Sequence, residues 1–263
     1  MEENLTETEK PIYTSRLIKA SALLADTRVL LAEWDIAQPV AENLARLREQ
    51  NVFGKASRRR VNDILTIFRQ RYFDDPDVGA ALATWVQGGA PAQWVDPLLY
   101  FFSAQNDRTL HDLVTEVLYP RSSGGYTDVP VEVIQRALRT WVAEGKTTTA
   151  WGEETLTRVA QGAMATLRDF GVLEGTVHKQ LAPVYLATPA FAMLALWLQQ
   201  RERSGDLVLR SDAWRLFFLA VSGVERLFVE AHQDHLLHYD AAGSVIRLEF
   251  PAETLEKYAR VLL

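Results

Sequence analysis

Apolar residues recur at steps of three and four along most of the chain, which is the spacing of one face of an α-helix. The first helix predicted in this way covers 13–34, and its inward positions are Leu17, Ala20, Leu24, Thr27 and Leu31. Further helices are predicted over 39–50, 57–72, 76–87, 91–105, 107–119, 130–144 and 153–170. Later helices are predicted to begin at a Ser211 cap, at Val224 and at Ala252. No strand–helix–strand alternation occurs, so we expect a globular, multi-helix, all-α fold.

One segment near the C-terminus has a different pattern. Residues 235–250, HLLHYDAAGSVIRLEF, contain two β-prone runs around a turn at 240–243 and predict one small β-hairpin. A linker is predicted at 120–128, PRSSGGYTD, because this stretch is short and rich in serine and glycine. We therefore expect a disordered tail over 1–12, an N-terminal helical subdomain over 13–126 and a C-terminal helical subdomain over 127–263.

Composition places the chain among ordinary globular proteins. Of its 263 residues, 48% are apolar and 24% are charged. It contains no cysteine, which excludes disulfides and thiolate metal sites and fits a reducing compartment. The longest apolar stretches, 186–198 and 216–224, are shorter than the roughly 20 residues that a membrane-spanning helix needs. We expect a cytoplasmic protein that does not bind membranes.

The distribution of charge changes this picture locally. The chain has 28 basic and 34 acidic residues, and its net charge of −6 argues against nucleic acid as a partner of the whole surface. Between Arg46 and Arg71, however, eight basic and two acidic residues give a balance of +6. Arg58, Arg59 and Arg60 open the predicted helix 57–72, where the helix dipole disfavours cations. An anion bound at this helix start would attract the arginines and satisfy the dipole together, whereas the alternative is a solvated charged face.

Two pairs of predicted helices, 39–72 and 130–170, each consist of a helix, a turn and a second helix with a polar outer face. We predict that they are helix-turn-helix-like elements, although the second is open to two interpretations, a winged-helix-like module and an ordinary packed pair. By the helical period, the outer face of 57–72 holds no carboxylate. Arg and Lys neutralise phosphates, and Asn and Gln hydrogen-bond base edges. The candidate DNA-contacting residues are Arg46, Lys55, Ser57, Arg58, Arg59, Asn62 and Arg69 in the first element, and Lys146, Thr148, Arg158 and Gln161 in the second.

Sequence motifs of catalysis are weak. GKTTT at 145–149 lacks the earlier glycine of a phosphate-binding loop and follows a helix rather than a strand. His232, His235 and His238 stand at steps of three, but the predicted hairpin begins at about His235 and would separate them. No nucleophile motif and no carboxylate cluster for Mg²⁺ stands out. We expect no catalytic residue, no bound metal and no cofactor.

Three stretches resemble one family. YTSRLIKASALLADTRVLL (13–31) and ENLARLREQNVFGKASRRRVNDILTIFRQRY (42–72) resemble the start of BrxA proteins, which are core components of type 1 BREX (bacteriophage exclusion) defence systems. TLTRVAQGAMATLRDFGVL (155–173) is similar to a second block of that family. The resemblance implies an all-α, cytoplasmic, non-catalytic protein with two helix-turn-helix-like elements, at 39–72 and 130–170, implicated in binding double-stranded DNA.

The resemblance also implies partners, namely other BREX components such as a methyltransferase and an ATPase-like protein, and we expect a monomer. The turn over 51–56 departs from the usual helix-turn-helix motif, because it is longer than three or four residues. The alternative function is a helical scaffold or adaptor whose basic face binds acidic partner proteins of the defence complex. The two functions are separable, because binding to DNA weakens steeply as salt rises.

Overall fold

The computed structural model describes residues 12–19, 21–183, 185–243 and 245–263. The predicted disordered tail over 1–12 therefore lies, apart from Ile12, outside the described residues. The α-helices are α1 (Leu24–Ala32), α2 (Val40–Gln50), α3 (Arg58–Tyr72), α4 (Pro76–Gln87), α5 (Ala92–Asn106), α6 (Arg108–Asp112), α7 (Tyr119–Ser123), α8 (Val131–Ala143), α9 (Glu153–Asp169), α10 (Thr188–Gln199), α11 (Gly205–Leu209), α12 (Val221–Gln233) and α13 (Leu255–Val261). A π-helical stretch, Leu113–Leu118, joins α6 to α7, and short 3₁₀ helices cover Ser15–Ile18 and Asp212–Phe217.

Two antiparallel strand pairs complete the fold. β1 (Leu173–Glu174) pairs with β2 (Gln180–Leu181), and β3 (His238–Ala242) pairs with β4 (Val245–Glu249). The mostly α-helical fold and the hairpin near the C-terminus are thus confirmed. The β1–β2 pair was not predicted, and it lies directly after α9.

The prediction of one continuous helix over 13–34 is wrong. Residues 12–14 run beside 146–148, because the amides of Ile12 and Tyr13 donate to the Lys146 carbonyl and the Thr148 amide donates to the Tyr13 carbonyl. Leu23 then adopts a left-handed conformation, with φ of 53°, immediately before α1. Of the predicted inward positions, Leu17, Thr27 and Leu31 are buried and Leu24 is half-buried, but they lie in two separate pieces of structure. The spacing of three and four therefore does not report one helix. Ala20 lies outside the described residues.

Smaller differences concern element boundaries and helix types. The helix predicted over 107–119 contains the π-helical stretch, and the helix predicted at the Ser211 cap is a 3₁₀ helix whose Ala213 amide donates to the Ser211 hydroxyl. α12 begins at Val221, three residues earlier than predicted, and α13 begins at Leu255, three residues later than predicted. Such shifts follow from caps and turns that apolar spacing does not encode.

The segment at 12–19 is fixed on the second half of the chain. The Tyr13 ring stacks on Trp141 with centroids 4.0 Å apart, and its hydroxyl donates to the buried Asp112 carboxylate at 2.9 Å. Further along the segment, a Cβ atom at Gly162 of α9 would lie 2.4 Å from the Leu17 carbonyl oxygen, so only glycine lets the two backbones approach. The segment that leads into α1 is therefore packed against α9.

Asp112 is the polar centre of this contact. Burial opposes ionisation of its carboxyl, but hydrogen bonds from His111, Tyr13 and Arg108 outweigh that effect and lower its pKa. Burial first, and the bond to Asp112 second, raise the pKa of Tyr13. Each group is thus held in its ordinary neutral-pH protonation state, which marks the cluster as structural.

The last helix closes the molecule against an early one. α13 packs on α4, and the Asp77 carboxylate accepts the amides of Leu255 at 2.7 Å and Glu256 at 3.0 Å. The Trp85 indole, fully buried, donates to the Ala259 carbonyl. Asp77 thus satisfies amides at the start of α13 and places a negative charge at the positive end of its dipole.

Buried apolar residues form one cluster that includes members of both predicted subdomains, among them Leu30, Phe101, Trp141 and Trp214. Part of the predicted linker 120–128 is structured, since α7 extends to Ser123 and Asp128 forms a bridge with Gln180. The division into two subdomains stays a prediction. Within the described ranges, no helix combines the length and apolar character needed to cross a membrane.

Candidate nucleic-acid interface

The turn between α2 and α3 is held by its own side chains. Asn51 ends α2 in a left-handed conformation, and its side chain bonds both the amide and the carbonyl of Lys55, at 3.1 and 2.9 Å. Ser57 then caps α3, as its sequence position indicated, because its hydroxyl accepts the Arg60 amide and its carbonyl accepts the Val61 amide. The longer turn is therefore a defined structure, and it places Arg58 and Arg59 in the first turn of α3.

α3 separates into a buried and an exposed face as the sequence predicted. The buried apolar side chains are Val61, Ile64, Leu65, Phe68 and Tyr72, and Arg71 is buried as well. Arg58, Arg59, Asn62 and Arg69 are exposed, and Arg60 is half-buried. Asp63 is also exposed, so the expectation of an outer face without a carboxylate is wrong. Asp63 lies one turn after Arg59 and reduces the local positive charge.

The predicted cations of the first element are not equivalent. The Arg46 guanidinium donates to the Glu33 carbonyl at 2.6 Å and to the Asn43 side chain at 2.9 Å, which ties α2 to the end of α1. Lys55 forms an ion pair with Asp26 at 2.8 Å, and Arg69 forms one with Asp74 at 3.0 Å. These three side chains already have partners.

Arg58 and Arg59, by contrast, have no ion-pair partner among the residues that the structure describes. Ser57 takes the amides of Arg60 and Val61, so the amides of Arg58 and Arg59 also lack an acceptor within that part of the chain. A concave surface of about 630 Å³ adjoins this helix start. It is lined by Arg48, Glu49, Asn51, Lys55, Ala56, Arg58, Val61 and Asn62. Arg48 is exposed on α2 and is not among the contact residues predicted from the sequence.

The second element, α8 and α9, has the predicted burial but a different charge pattern. Leu156, Val159, Ala163 and Leu167 of α9 are buried, while Arg158 and Gln161 are exposed. Arg158 lies 3.9 Å from Glu154, one turn earlier. Lys146 pairs with Glu144 at 2.9 Å, and Thr148 is exposed. The predicted basic side chains of this element therefore each have an acidic neighbour.

An ion pair between the two helices adds to this neutralisation. Arg139 of α8 donates two hydrogen bonds to the Glu153 carboxylate in the first turn of α9, at 3.1 and 2.9 Å. The hydrogen bond from Arg139 lowers the pKa of Glu153, so this carboxylate stays ionised at neutral pH. Glu153 and Glu154 both suit the positive end of the α9 dipole. The start of α9 is thus electrostatically satisfied without a ligand.

The strands β1 and β2, together with the stretch 127–129, form a small three-stranded antiparallel ribbon next to α9. β1 pairs with β2, with Leu173 opposite Leu181, and the stretch 127–129 extends the sheet on the other side of β2. Two backbone bonds of 2.8 Å make this join, from the Val129 amide to the Lys179 carbonyl and from the Leu181 amide to the Thr127 carbonyl. The order of segments along the chain is therefore strand, helix, helix, strand, strand, with β2 central. The sequence did not predict these strands, although a winged-helix-like module, one of the two interpretations left open for this helix pair, includes such a ribbon.

The tip of the ribbon, Gly175–Lys179, is a tight turn. Gly175 has φ of 89°, and a Cβ there would lie 2.1 Å from the His178 carbonyl oxygen, so no other residue fits without a shift. The Lys179 ammonium donates to the Thr176 carbonyl at 2.9 Å. Val177 at the apex is 84% exposed. A cavity of about 690 Å³ separates this tip from Gln161, Met164 and Ala165 of α9 and from the start of α8.

The histidines near the C-terminus are arranged differently from a metal site. The rings of His232 and His238 lie 5.0 Å apart, but His232 Nδ1 accepts the Tyr239 amide and His238 bonds Asp240. His235 has φ of 58° and lies beyond the end of α12. Across the described ranges, no group of three or more His, Cys, Asp or Glu side chains is placed to hold a metal ion.

The fold is similar to that of a solved protein structure. A crystal structure of an uncharacterized protein from Magnetospirillum magneticum has the same fold, with a TM-score of 0.62 at 15% sequence identity. The match covers 80% of this chain and 100% of that chain. No curated protein matches the sequence.

The family comparison is more specific. The BrxA family model matches residues 11–196, which include both helix pairs and the ribbon. BrxA is not a known enzyme family. Because the match covers well over half of the sequence, the chain belongs to the BrxA family, whose members are components of BREX phage-defence systems.

Proposed function

We propose that this protein is a non-enzymatic, double-stranded-DNA-binding component of its BREX system, and that it contacts DNA mainly through phosphates at the start of α3. The observation that carries this proposal is the pair of exposed guanidinium groups, Arg58 and Arg59, without partners among the described residues, at the positive end of a helix. Cations are disfavoured there by about 0.3–1 kcal/mol each at low salt. A phosphate reverses that penalty.

The backbone supports the same ligand. The amides of Arg58 and Arg59 are left for an acceptor once Ser57 has taken those of Arg60 and Val61. A helix start with free amides is a general binding site for phosphate oxygens. Arg48 and Glu49 both line the adjoining concave surface, and Lys55 there is paired with Asp26, so the further positive charge that an anion meets comes from Arg48. An exposed aspartate side chain of a partner protein would also fit one amide pair, but a duplex offers many phosphates at regular spacing.

Weak sequence preference follows from the same geometry. Of the exposed residues on α3, Asn62 lies one turn beyond the arginines and can hydrogen-bond a base edge. Asp63 beside it repels the phosphate backbone. We expect phosphate contacts to set the affinity and Asn62 to add a small preference. The second element would add contacts of lower charge, because its cations have acidic neighbours.

The proposed function includes no catalytic step, so other proteins of the defence complex must supply the reactions on DNA. We propose that the methyltransferase and the ATPase-like protein of the system are the partners that act on DNA held by this protein. The adaptor function, in which the basic face binds acidic proteins instead of DNA, is the competing outcome of the experiment below.

The experiment is a salt titration of binding to a labelled duplex of mixed sequence. The wild type, Arg58→Ala/Arg59→Ala and a matched control, Arg203→Ala/Arg226→Ala, are compared. Arg203 and Arg226 are also exposed and lack an ion-pair partner in the described part of the chain, so both variants lose two positive charges. We expect the first variant to lose affinity and to flatten the slope of log K against log salt by about 0.9 per lost phosphate contact.

The control should retain both the affinity and the slope of the wild type. Equal losses of affinity in the two variants would mean that binding depends only on net charge, and the proposed site at the start of α3 would be wrong. No binding of the wild type to duplex at low salt would remove the DNA-binding function and favour the adaptor.

A further inference from the structure

We infer that the ribbon tip, Gly175–Lys179, is a second DNA-contact segment, which lies on the sugar-phosphate backbone beside the groove that α9 faces. The inference rests on the proposed function, since it names a further contact of the same duplex. It concerns residues that neither the sequence interpretation nor the family assignment selects.

The first support is the order of elements. Backbone hydrogen bonds join the stretch 127–129, which precedes α8, to β2 of the ribbon. At the other end of the helix pair, the Val172 amide donates to the Leu167 carbonyl of α9 just before β1 begins. Any surface that approaches the exposed side of α9 from this end also meets the tip. In helix-turn-helix proteins whose second helix occupies the major groove, adjoining arms reach the neighbouring backbone or minor groove.

The second support is the cavity between α9 and the tip. Its walls are Gln161, Met164 and Ala165 on one side and Thr176, Val177 and His178 on the other, and its volume is about 690 Å³. A concave surface bounded by a helix and a projecting ribbon suits one strand of a duplex backbone. Gln161, a predicted contact residue, thus lies in the same concavity as the tip.

The third support is the shape of the tip itself. Gly175 allows the close approach of the His178 carbonyl, and the Lys179 ammonium closes the loop by donating to the Thr176 carbonyl. Val177, the residue at the apex, is 84% exposed and contributes nothing to the core. An exposed apolar apex on a closed loop is available to contact a bound duplex.

Positive and negative charges near the tip are close to balanced, which limits how much the tip can contribute to duplex affinity. Glu132 lines the same cavity as Lys179, and Glu174 in β1 is paired with Gln180, the residue after Lys179. Asp128 is paired with Arg121 at 2.8 Å. The tip is therefore expected to position the duplex rather than to dominate affinity, and an added charge at Val177 should have a measurable effect.

The first test places a charge at the apex. Val177→Lys should tighten duplex binding by roughly three- to tenfold at moderate salt and steepen the salt slope by up to about 0.9. Val177→Glu should weaken binding by a similar factor. The matched control is Val245, which is 67% exposed at the start of β4 in the other hairpin, so Val245→Lys and Val245→Glu change charge equally. Equal effects at the two positions, or none at Val177, would overturn the inference.

The second test locates the tip on the duplex. Because the chain has no cysteine, Val177→Cys and Val245→Cys each provide one thiol for an iron chelate that cleaves nearby DNA backbone. The conjugate at position 177 should cut the bound duplex, whereas the conjugate at 245 should not. If wild-type protein binds duplex with the expected dependence on Arg58 and Arg59 but no cleavage occurs from position 177, the tip inference fails and the proposed function stands. If no variant binds duplex, both fail.

Discussion

Helices α3 and α9 have similar buried and exposed faces, but the charges in their first turns are opposite in sign. Each buries an apolar stripe and exposes arginine with an amide side chain. α9 begins with Glu153 and Glu154, which suit the dipole, and Arg139 pairs with the first of them. α3 begins with cations that oppose the dipole and have no acidic partner in the described part of the chain. The difference teaches that the pairing of basic residues, more than their number, distinguishes a surface with unpaired positive charge from one whose charge is already neutralised.

Charge reversal at the start of α3 should have the largest effect. Arg58→Glu/Arg59→Glu would remove the two proposed phosphate contacts and add repulsion, so duplex affinity should fall by roughly 100-fold or more at physiological salt. The same change favours the helix dipole, so the melting temperature should rise. Binding by fluorescence anisotropy and melting by circular dichroism, on one preparation, test both signs.

The opposite result would identify a structural role. If the two arginines act as a clamp between α2 and α3, the reversed variant melts earlier while its salt slope stays unchanged. Arg203→Glu/Arg226→Glu is the charge-matched control, and we expect it to weaken binding only slightly.

Neutralising the start of α9 should produce the reverse combination. Glu153→Gln/Glu154→Gln releases Arg139 and Arg158 from acidic neighbours, so duplex affinity should rise by roughly three- to tenfold. Stability should fall, because the helix loses two favourable charges at its positive end. Glu225→Gln/Glu230→Gln, both exposed on α12, controls for net charge. Unchanged affinity would mean that α9 does not approach DNA.

Removing the outward residues of α9 should have a smaller effect. Arg158→Ala/Gln161→Ala should weaken binding by about threefold, because the Arg158 charge is already partly neutralised by Glu154. Both side chains are exposed, so the melting temperature should stay the same. A loss as large as that of the α3 variants would contradict the ranking of the two helices.

The smallest effect is expected at Asp63. Asp63→Asn removes the carboxylate from the outer face of α3 and should tighten binding by about twofold. The gain should disappear at high salt, since an exposed charge is screened beyond the Debye length. A gain that persists at high salt would indicate a direct hydrogen bond rather than relief of repulsion.

The sequence was sufficient for features that depend on local chemistry. The α3 cap at Ser57 and its buried stripe follow from residue type and helical period. The outward directions of Arg158 and Gln161 follow from the same period. These were predicted correctly because each needs only neighbours within two or three turns.

The features that the sequence did not predict depend on contacts between residues that are far apart in the chain. The helix predicted over 13–34 failed because Tyr13 pairs with residues 146–148, more than 130 positions away in the chain. The ribbon was missed because two-residue strands are too short to show alternation. The glycine at 175 between two β-prone runs was the available signal. The pairing of Lys55 with Asp26 and of Arg139 with Glu153 likewise joins separate helices, and only the fold reveals it.

The contact between α4 and α13 has a consequence for synthesis of the protein. Asp77 and Trp85 emerge from the ribosome long before their partners at 255, 256 and 259 have been translated. The surface of α4 that α13 covers therefore stays open to solvent during most of translation, and folding at that site cannot be completed cotranslationally until α13 emerges. A nascent chain stalled before Leu255 would expose an indole-lined hydrophobic face, which is the kind of surface that a ribosome-associated chaperone binds.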